Sequence, residues 1–446
     1  MKKVLLMCIL LVASCMLFAT GTKEVEEKTY SIPENVKAAG TVTFWHAMSG
    51  SKTAIVDGYA KEFMEMHPEI TIEPVYSGSY AETVTKGLAA IKARKPPVLL
   101  MSYEVGTQTM LDSGAIIPVY QLNKGEFNFD EITEPILKYY SVNGNLNSMP
   151  FNSSTAMMYY NKDMFRAAGL DPESPPTTFD EVAEYSKIIM DAGLASGGIS
   201  FGWPAWILEQ MHAYHNKFYA NNENGRNGER ASEVLLNGKL GVEILTEWQQ
   251  WAKDGVLSYG GRTYKANDPF IAGEFSMLLQ STSSLAGIIK SSDFEVGTAF
   301  LPSLPGYEKG NSVIGGASIW VLKGHSDEVN AAAWEFLQYL AEKDNAVAWH
   351  KKTGYFPVNK DAYNTLVDEG WFENDMRFRT AFDQILNGSD STAATGALLG
   401  NFVQIRDIVG AAIEEVVVNM QDPKTILDST KVKCDQVLSD YISTVE

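Results

Sequence analysis

Hydroxyl side chains are concentrated at one place where a predicted strand ends. The run Ser281–Ser284 lies between the apolar stretch Met277–Leu279, which we expect to be a strand, and an apparent helix that begins at Leu285. The N–H groups and hydroxyls of such a turn can bind an anion, but they can equally cap the helix. The residues alone leave both interpretations open.

A carboxylate also follows the end of a predicted strand. Glu104 follows Val98–Met101, a continuous apolar run that is typical of a parallel strand buried on both faces. Ligands of α/β proteins bind outside the carboxyl ends of such strands. Because an ionised carboxylate accepts hydrogen bonds, Glu104 is a candidate acceptor for the hydroxyls of a small polar ligand.

Two tryptophans form a further candidate surface. Trp203 and Trp206 lie in a short segment that begins at Gly202 and contains Pro204. The indole rings could wall the carbon chain of a ligand, stack on a sugar or face a choline cation. Packing in the core is the alternative for both residues.

Motifs of known enzyme classes do not emerge from the sequence. His212 and His215 have HxxH spacing on a predicted helix, but no third ligand accompanies them, so we expect no metal site. The sequence has neither a GxSxG motif nor a P-loop, and nothing singles out a glycosidase-type carboxylate pair. The motifs therefore predict neither a catalytic site nor a cofactor, and a secreted hydrolase of glycans or phosphodiesters is one of the functions that stay open.

Length and charge restrict the possible partners. The chain has 446 residues, with 36 Lys and Arg against 55 Asp and Glu, which gives a formal net charge of −19. A nucleic-acid partner is not expected for such an acidic chain, because binding to phosphate backbones depends on basic side chains. The length predicts two domains of roughly 200 residues each.

The N-terminus predicts export. Lys2 and Lys3 precede the apolar run Val4–Ala13, which is too short to span a bilayer. Cleavage is expected either after residue 21 or before Cys15, which would then carry a lipid, and residues 22–40 would form a tether. The mature protein is thus expected to be periplasmic or lipid-anchored at the outer face of the inner membrane. Cys434 is then the only thiol of the folded part, so no disulfide within the chain is expected.

Alternating strand and helix patterns predict an α/β fold. Apolar residues at spacings of four in the segment after Ser51 indicate a helix that ends before Pro68, and the segment Thr177–Glu181 indicates the start of another. The further predicted helices are Tyr80–Arg94, Gly241–Lys253 and Ser326–Ala341. The predicted strands are Thr41–Trp45, Ile70–Tyr76, Val98–Met101, Met157–Asn161, Met277–Leu279 and Ser318–Leu322.

Several motifs resemble one family. The segments 159–165, 168–172 and 175–179 resemble the extracellular solute-binding proteins of carbohydrate-type ABC importers. Other motifs are similar to the branch of that family that binds sn-glycerol-3-phosphate. These are Phe44–Met48, Tyr103–Thr107, Pro150–Thr155, Ile314–Ser318, Lys352–Pro357, and Leu399–Asn401 followed by Gln404–Arg406.

The resemblance extends from about Thr41 to the C-terminus, and it implies a fold and a domain organisation. Two α/β lobes would close over a ligand, with several chain crossings at the hinge. Lobe one would comprise 41–153 and 314–352, and lobe two would comprise 157–312 and 356–446.

The resemblance also implies a set of ligand contacts. The phosphate would be bound by Arg406, Thr282, Ser154, Gly316 and Tyr355. Ser281 and Ser283 remain alternatives to Thr282, where the family has a serine. Glu104 would accept hydrogen bonds from the glycerol hydroxyls, and Tyr80 would also contact the ligand.

The function that the resemblance implies is capture and delivery of a solute. The protein would bind sn-glycerol-3-phosphate and pass it to the membrane subunits of an ABC permease, acting as a monomer. A glycerophosphodiester or an oligosaccharide is the alternative ligand within the same fold.

Overall fold

The predicted alternation of strands and helices is present in residues 29–446, the part of the chain that this computed structural model describes. The strands are β1 (Gly40–His46), β2 (Ile70–Tyr76), β3 (Leu99–Tyr103), β4 (Ile116–Ile117), β5 (Ser141–Val142), β6 (Asn145–Leu146), β7 (Met149–Ser154), β8 (Ala156–Asn161), β9 (Gly197–Phe201), β10 (Phe275–Ser281), β11 (Val296–Ala299) and β12 (Gly315–Leu322).

Helices connect and cover these strands. They are α1 (Ser51–Met66), α2 (Tyr80–Lys92), α3 (Thr107–Asp112), α4 (Val119–Leu122), α5 (Glu134–Tyr140), α6 (Lys162–Ala167), α7 (Phe179–Asp191), α8 (Pro204–Tyr214), α9 (Lys239–Lys253), α10 (Asn267–Ile271), α11 (Leu285–Ser291), α12 (Asp327–Ala341), α13 (Lys343–Thr353), α14 (Lys360–Asp368), α15 (Trp371–Asn374), α16 (Thr380–Leu386), α17 (Phe402–Val417) and α18 (Pro423–Val445).

A six-stranded sheet forms the first lobe. Its order is β2-β1-β3-β12-β4, and β7 pairs with β12 outside this path. β1 is parallel to both β2 and β3, as the apolar run before Glu104 predicts, whereas β12 is antiparallel to β3. The predicted helix Tyr80–Arg94 ends at Lys92, and Arg94 has a left-handed backbone with φ of 57°.

A four-stranded sheet forms the second lobe. Its order is β11-β8-β10-β9, so β10, which contains the predicted strand Met277–Leu279, is a central strand. The helix α7 begins where the sequence indicates, because the Thr178 side chain accepts a hydrogen bond from the Glu181 amide, and the Glu181 carboxylate accepts one from the Thr178 amide. A large hydrophobic core lies in this lobe and includes Trp248, Met277 and Phe402.

The chain passes between the two sheets at three adjacent places. β7 leads through Thr155 directly into β8, β11 leads through Val313 into β12, and the segment after Thr353 leads towards α16. Thr155 Oγ1 donates to the Val313 carbonyl at 2.9 Å, and the Phe356 amide donates to the Ser153 carbonyl at 2.8 Å. These bonds hold the three crossings together as one hinge.

An ion pair also connects the two lobes. Arg230, in the second lobe, donates to both oxygens of Asp112 at the end of α3, at 2.6 and 2.8 Å. Tyr441 on α18 donates to the same carboxylate at 2.6 Å. Burial opposes ionisation of Asp112, but the hydrogen bonds from Arg230 and Tyr441 outweigh it and lower the pKa of that carboxyl.

Only the end of the predicted N-terminal segment belongs to the described residues. The predicted export signal, both cleavage sites and the tether up to residue 28 lie outside the described residues. The end of the predicted tether packs against the folded body, because Ile32 and Ala38 are buried and the Ala39 amide donates to the Glu328 carbonyl at 3.2 Å. Within residues 29–446, the helices are too short or too polar to cross a bilayer.

Candidate functional site

One guanidinium between two carboxylates forms the centre of the candidate site. Arg406, in the second turn of α17, places Nη1 2.6 Å from Glu104 Oε1 and Nη2 2.7 Å from Glu209 Oε2. Arg406 Nε also donates to Glu209 Oε2, at 3.2 Å. Glu104 follows β3 of the first lobe, whereas Glu209 and Arg406 lie on α8 and α17 of the second. The group therefore connects the two lobes.

This charged group is buried. The side chains of Arg406, Glu104 and Glu209 are 14%, 5% and 2% exposed. Burial would lower the pKa of Arg406, but the carboxylates of Glu209 and Glu104 raise it above its ordinary value. Burial raises the pKa of Glu209, Arg406 opposes that shift and Glu104 adds to it, so the net direction is upward.

A cluster of phenols lies beside this group. The hydroxyls of Tyr80 and Tyr355 are 3.2 Å apart, and Asn152 Nδ2 donates to Tyr80 at 2.6 Å. The Tyr80 ring stacks on Tyr103 with centroids 5.3 Å apart. Burial raises the pKa of Tyr80, and the nearby Glu104 carboxylate contributes to this shift. The structure therefore brings the predicted residues Tyr80, Tyr355 and Glu104 into one neighbourhood.

The predicted phosphate residues Ser154, Thr282 and Gly316 lie at the hinge. Gly316 pairs with Ser153 of β7, next to the pair formed by Gly315 and Ser154. The Thr282 amide donates to the Thr155 carbonyl at 2.9 Å, and the Thr155 amide is 3.4 Å from Thr282 Oγ1. The side chain of Ser281 caps the amide of Ser283 at 3.2 Å, so this hydroxyl has the local capping role that the sequence left open.

Gly316 has a structural reason to be glycine that does not depend on a ligand. Its φ is +94°, and a Cβ at this position would overlap the carbonyl oxygen of Asn152 on the neighbouring strand. Only glycine combines this backbone conformation with so close an approach.

The two tryptophans have different surroundings. Trp206 is 6% exposed and packs against Gly315 at the hinge, where a Cβ on the glycine would meet the indole at 2.7 Å. Trp203 is 36% exposed, has φ of 59° and lies near the ring of Tyr264, with centroids 6.0 Å apart. The structure thus places Trp206 near the other candidate residues and Trp203 in a more open position.

Buried polar atoms without partners accompany these residues. Among the described residues, the side chains that each have a buried and unpartnered oxygen or nitrogen include those of Tyr139, Tyr140, Asn152, Ser153, Trp206 and Glu209. Burial raises the pKa of Tyr139, and the carboxylates of Glu104 and Glu209 add to this shift. A ligand with several hydroxyl or anionic oxygens would satisfy such atoms.

Sequence reasoning did not identify Asn152, Tyr139 or Glu209 as site residues. A signal for Glu209 existed, because this glutamate stands at position i+3 from Trp206 and directly follows the apolar residues 205–208. Residues at this spacing share a helix face. The buried face of α8 therefore had to carry a carboxylate, which requires a charged partner.

The HxxH pair has a structural role in the described part of the chain. His212 Nδ1 is 2.9 Å from the Leu208 carbonyl, and His215 Nδ1 is 2.6 Å from the Met211 carbonyl. The Leu304 amide donates to His215 Nε2 at 2.7 Å. Both nitrogens of His215 are therefore engaged with the backbone.

Comparisons with known proteins identify the family of the chain. A family model for bacterial extracellular solute-binding proteins matches residues 58–380. The sn-glycerol-3-phosphate-binding periplasmic protein UgpB of Shigella flexneri serotype 5b is 37% identical over 412 residues, which are 91% of this chain and 94% of that protein. UgpB of Escherichia coli K12 is 36% identical over 412 residues, with the same coverage.

Solved structures show the same fold. UgpB from Mycobacterium tuberculosis in complex with glycerophosphocholine matches with a TM-score of 0.77 at 21% identity, over 91% of this chain and all of that one. Maltose-bound MalE3 of T. maritima matches with a TM-score of 0.75 at 17% identity, over 89% of this chain and all of that one. With its two-lobed α/β fold, the chain belongs to the bacterial extracellular solute-binding protein family.

Proposed function

We propose that this protein captures sn-glycerol-3-phosphate outside the inner membrane and delivers it to an ABC permease. The observation that carries the proposal is the buried Arg406 guanidinium, held between the lobes beside the Glu104 carboxylate and near the Tyr80–Tyr355 phenol pair. A guanidinium is suited to bind phosphate oxygens, and a carboxylate is suited to accept hydrogen bonds from glycerol hydroxyls. Relatives of 36–37% identity bear the name of an sn-glycerol-3-phosphate-binding protein.

In this proposal the phosphate lies at the hinge. Ser154, Thr282, Gly316 and Tyr355 supply hydroxyls and a backbone N–H, while Arg406 supplies the positive charge. Trp206 packs beside them, and Trp203 contacts the ligand from the more open side.

Capture works by closure of the two lobes. The proposed contacts come from the first lobe, the second lobe and the crossings between them, so the ligand interacts with more of them when the lobes are together. A ligand of this kind shifts the population towards the closed state. We propose the lobes as residues 41–153 with 314–352, and residues 157–312 with 356–446.

The remaining parts of the proposal concern location and partners. Relatives are named as periplasmic, and we propose an exported protein, either free or anchored through a lipid on Cys15. It acts as a monomer that meets the permease subunits, and it leaves its ligand chemically unchanged, without a metal or a cofactor.

Calorimetry of the purified protein tests the ligand. We expect stoichiometric binding of sn-glycerol-3-phosphate, competition by inorganic phosphate, and recovery of unchanged ligand. Binding of maltose without binding of either phosphate compound would overturn the proposal in favour of an oligosaccharide. Turnover of a glycan or a phosphodiester by the metal-stripped protein would favour the hydrolase instead.

A further inference from the structure

Glu209 occupies one edge of the Arg406 guanidinium. Both Nε and Nη2 of Arg406 point to the same Oε2 atom of Glu209, at 3.2 and 2.7 Å. Glu104 takes Nη1 at 2.6 Å. A phosphate that binds Arg406 through two parallel hydrogen bonds must therefore compete with a protein carboxylate.

The ionised groups around Arg406 have an excess of negative charge once a phosphate binds. One guanidinium faces two carboxylates, so the three ionised side chains carry a formal charge of −1. A phosphomonoester adds about −1.5 to −2 at neutral pH. Like charges at short range in a buried site strongly disfavour ionisation of all of them.

The surroundings of Glu209 offer no second cation in the described part of the chain. Its charged neighbours are Arg406 from α17 and Glu104 from the segment after β3. Its charge also contributes to the raised pKa values of Tyr139 on α5 and Tyr219 after α8. His212, one turn along α8, is neutral near pH 7, because burial lowers its pKa to about 4.

Arg226 does not supply the missing charge. It lies against the ring of Tyr139, with Cζ 5.1 Å from the ring centroid. Its Nε donates to the Gly396 carbonyl at 2.6 Å and its Nη2 to the Tyr139 carbonyl at 3.1 Å. The Arg226 guanidinium keeps its positive charge, but Nε and Nη2 are bound to backbone oxygens, and Arg226 is not among the groups that shift the pKa of Glu209.

We infer that Glu209 takes up a proton when the phosphomonoester binds, so that capture of the dianion is coupled to proton uptake and tightens as the pH falls. This rests on the proposed function. A neutral Glu209 no longer repels the phosphate, and its carboxyl O–H becomes a hydrogen-bond donor to it. Glu209 Oε1 has no partner among the described residues and is available for this bond.

The direction of the pH dependence follows from this proton. The complex binds one more proton than the free protein and free dianion, so protons favour the complex. Affinity should fall by up to about tenfold for each pH unit above the range in which Glu209 protonates in the free protein. A phosphodiester with no group that titrates near neutrality should show a much smaller dependence, because it adds only one negative charge.

Calorimetry in buffers of different ionisation enthalpy measures the proton directly. At pH 7.5, where free glycerol-3-phosphate is mostly dianionic, we expect the wild-type protein to take up between about half a proton and one proton per ligand. Glu209→Gln should reduce this number to near zero and should bind at least tenfold more tightly than wild type at pH 8. Glu184→Gln, at an exposed position on α7, should behave as wild type in both respects.

Different failures identify different errors. Binding of glycerol-3-phosphate by wild type without proton uptake would overturn the inference and leave the proposed function standing. Uptake that persists in Glu209→Gln would also overturn it, because the proton would then reside on the ligand or on Glu104. Failure of wild type to bind glycerol-3-phosphate between pH 5 and 8 would overturn the proposed function and the inference with it.

A second measurement does not depend on the variant folding. Infrared difference spectra of wild type should show a new carbonyl stretch of a protonated carboxyl group when glycerol-3-phosphate is added at pH 7.5. Binding without this band would contradict the inference.

Discussion

Replacement of Arg406 by alanine should affect both folding and binding. From the sequence alone, a cleft arginine is expected to contribute little to stability. The structure changes this expectation, because the replacement leaves two buried carboxylates, Glu104 and Glu209, without their cation. Removal of one partner from a buried ion pair typically costs ~3–5 kcal/mol. We therefore expect the free energy of unfolding of Arg406→Ala to fall by about this amount at pH 7.5.

The loss of stability should depend on pH with a definite sign. In the variant, the uncompensated carboxyls acquire raised pKa values, so the folded state binds more protons than the unfolded state above the ordinary carboxyl range. The stability deficit should thus shrink as the pH is lowered from 7.5 to about 5. The double variant Arg406→Ala, Glu209→Gln should recover part of the deficit, because one of the two stranded charges is removed.

Binding should weaken independently of this effect. Loss of one member of a desolvated charge-assisted pair typically costs ~2–5 kcal/mol, which corresponds to a roughly 30- to several-thousand-fold loss of affinity for glycerol-3-phosphate. Arg406→Lys should recover only part of the affinity, since an ammonium keeps the charge but cannot form two parallel hydrogen bonds to the phosphate.

Urea unfolding and calorimetry measure the two effects. Arg262→Ala is the matched control, because Arg262 pairs with Glu414 at the surface and such pairs contribute ~0–1 kcal/mol. Wild-type stability together with wild-type affinity in Arg406→Ala would refute the reasoning about both the ion pairs and the phosphate.

Three further outcomes are expected. Gly316→Ala should lower the free energy of unfolding by at least ~1–3 kcal/mol in urea, whereas Gly287→Ala, in a helix with open space around it, should not. Burial lowers the pKa of His212 from 6.5 to about 4. Between these pH values the unfolded state binds more protons than the folded state, so the free energy of unfolding falls as the pH falls. Urea unfolding should show that His212→Gln abolishes about 2 kcal/mol of this loss between pH 7.5 and 5. Trp206→Phe removes an indole N–H without a partner among the described residues and should weaken calorimetric binding of glycerol-3-phosphate about two- to tenfold, whereas unchanged affinity would leave Trp206 with a packing role alone.

Local patterns predicted individual elements well. The helix after Ser51 ends at Met66, before Pro68, and the apolar run after Pro97 is the buried strand β3. These elements depend on periodicity, caps and prolines that lie within a few residues of one another. The pairing of β12 with β3 was not predictable in this way, because it joins residues about 200 positions apart and inserts an antiparallel strand beside a parallel one.

The residues of the candidate site also differ in whether the local sequence could identify them. Glu104 could be identified from its position after a buried strand, since the edge of a parallel sheet is a general location for ligands. Arg406 had no such local signal, and only the family resemblance singled it out. Glu209 was missed because its importance depends on contact with α17, almost 200 residues further along the chain.

The two ion pairs between the lobes have different consequences for closure. Asp112 and Arg230 form an ion pair and are not among the proposed ligand contacts, so a ligand does not compete for this pair. Glu104 and Arg406 lie within the site, so a phosphate that binds Arg406 alters a contact that already exists. The free energy of ligand binding then depends on how much more favourable the contacts of the ligand with Arg406 are than those that Glu104 and Glu209 already make. Because of this competition, protonation of Glu209 favours ligands that carry more negative charge. A neutral Glu209 competes less with the phosphate for the Arg406 guanidinium.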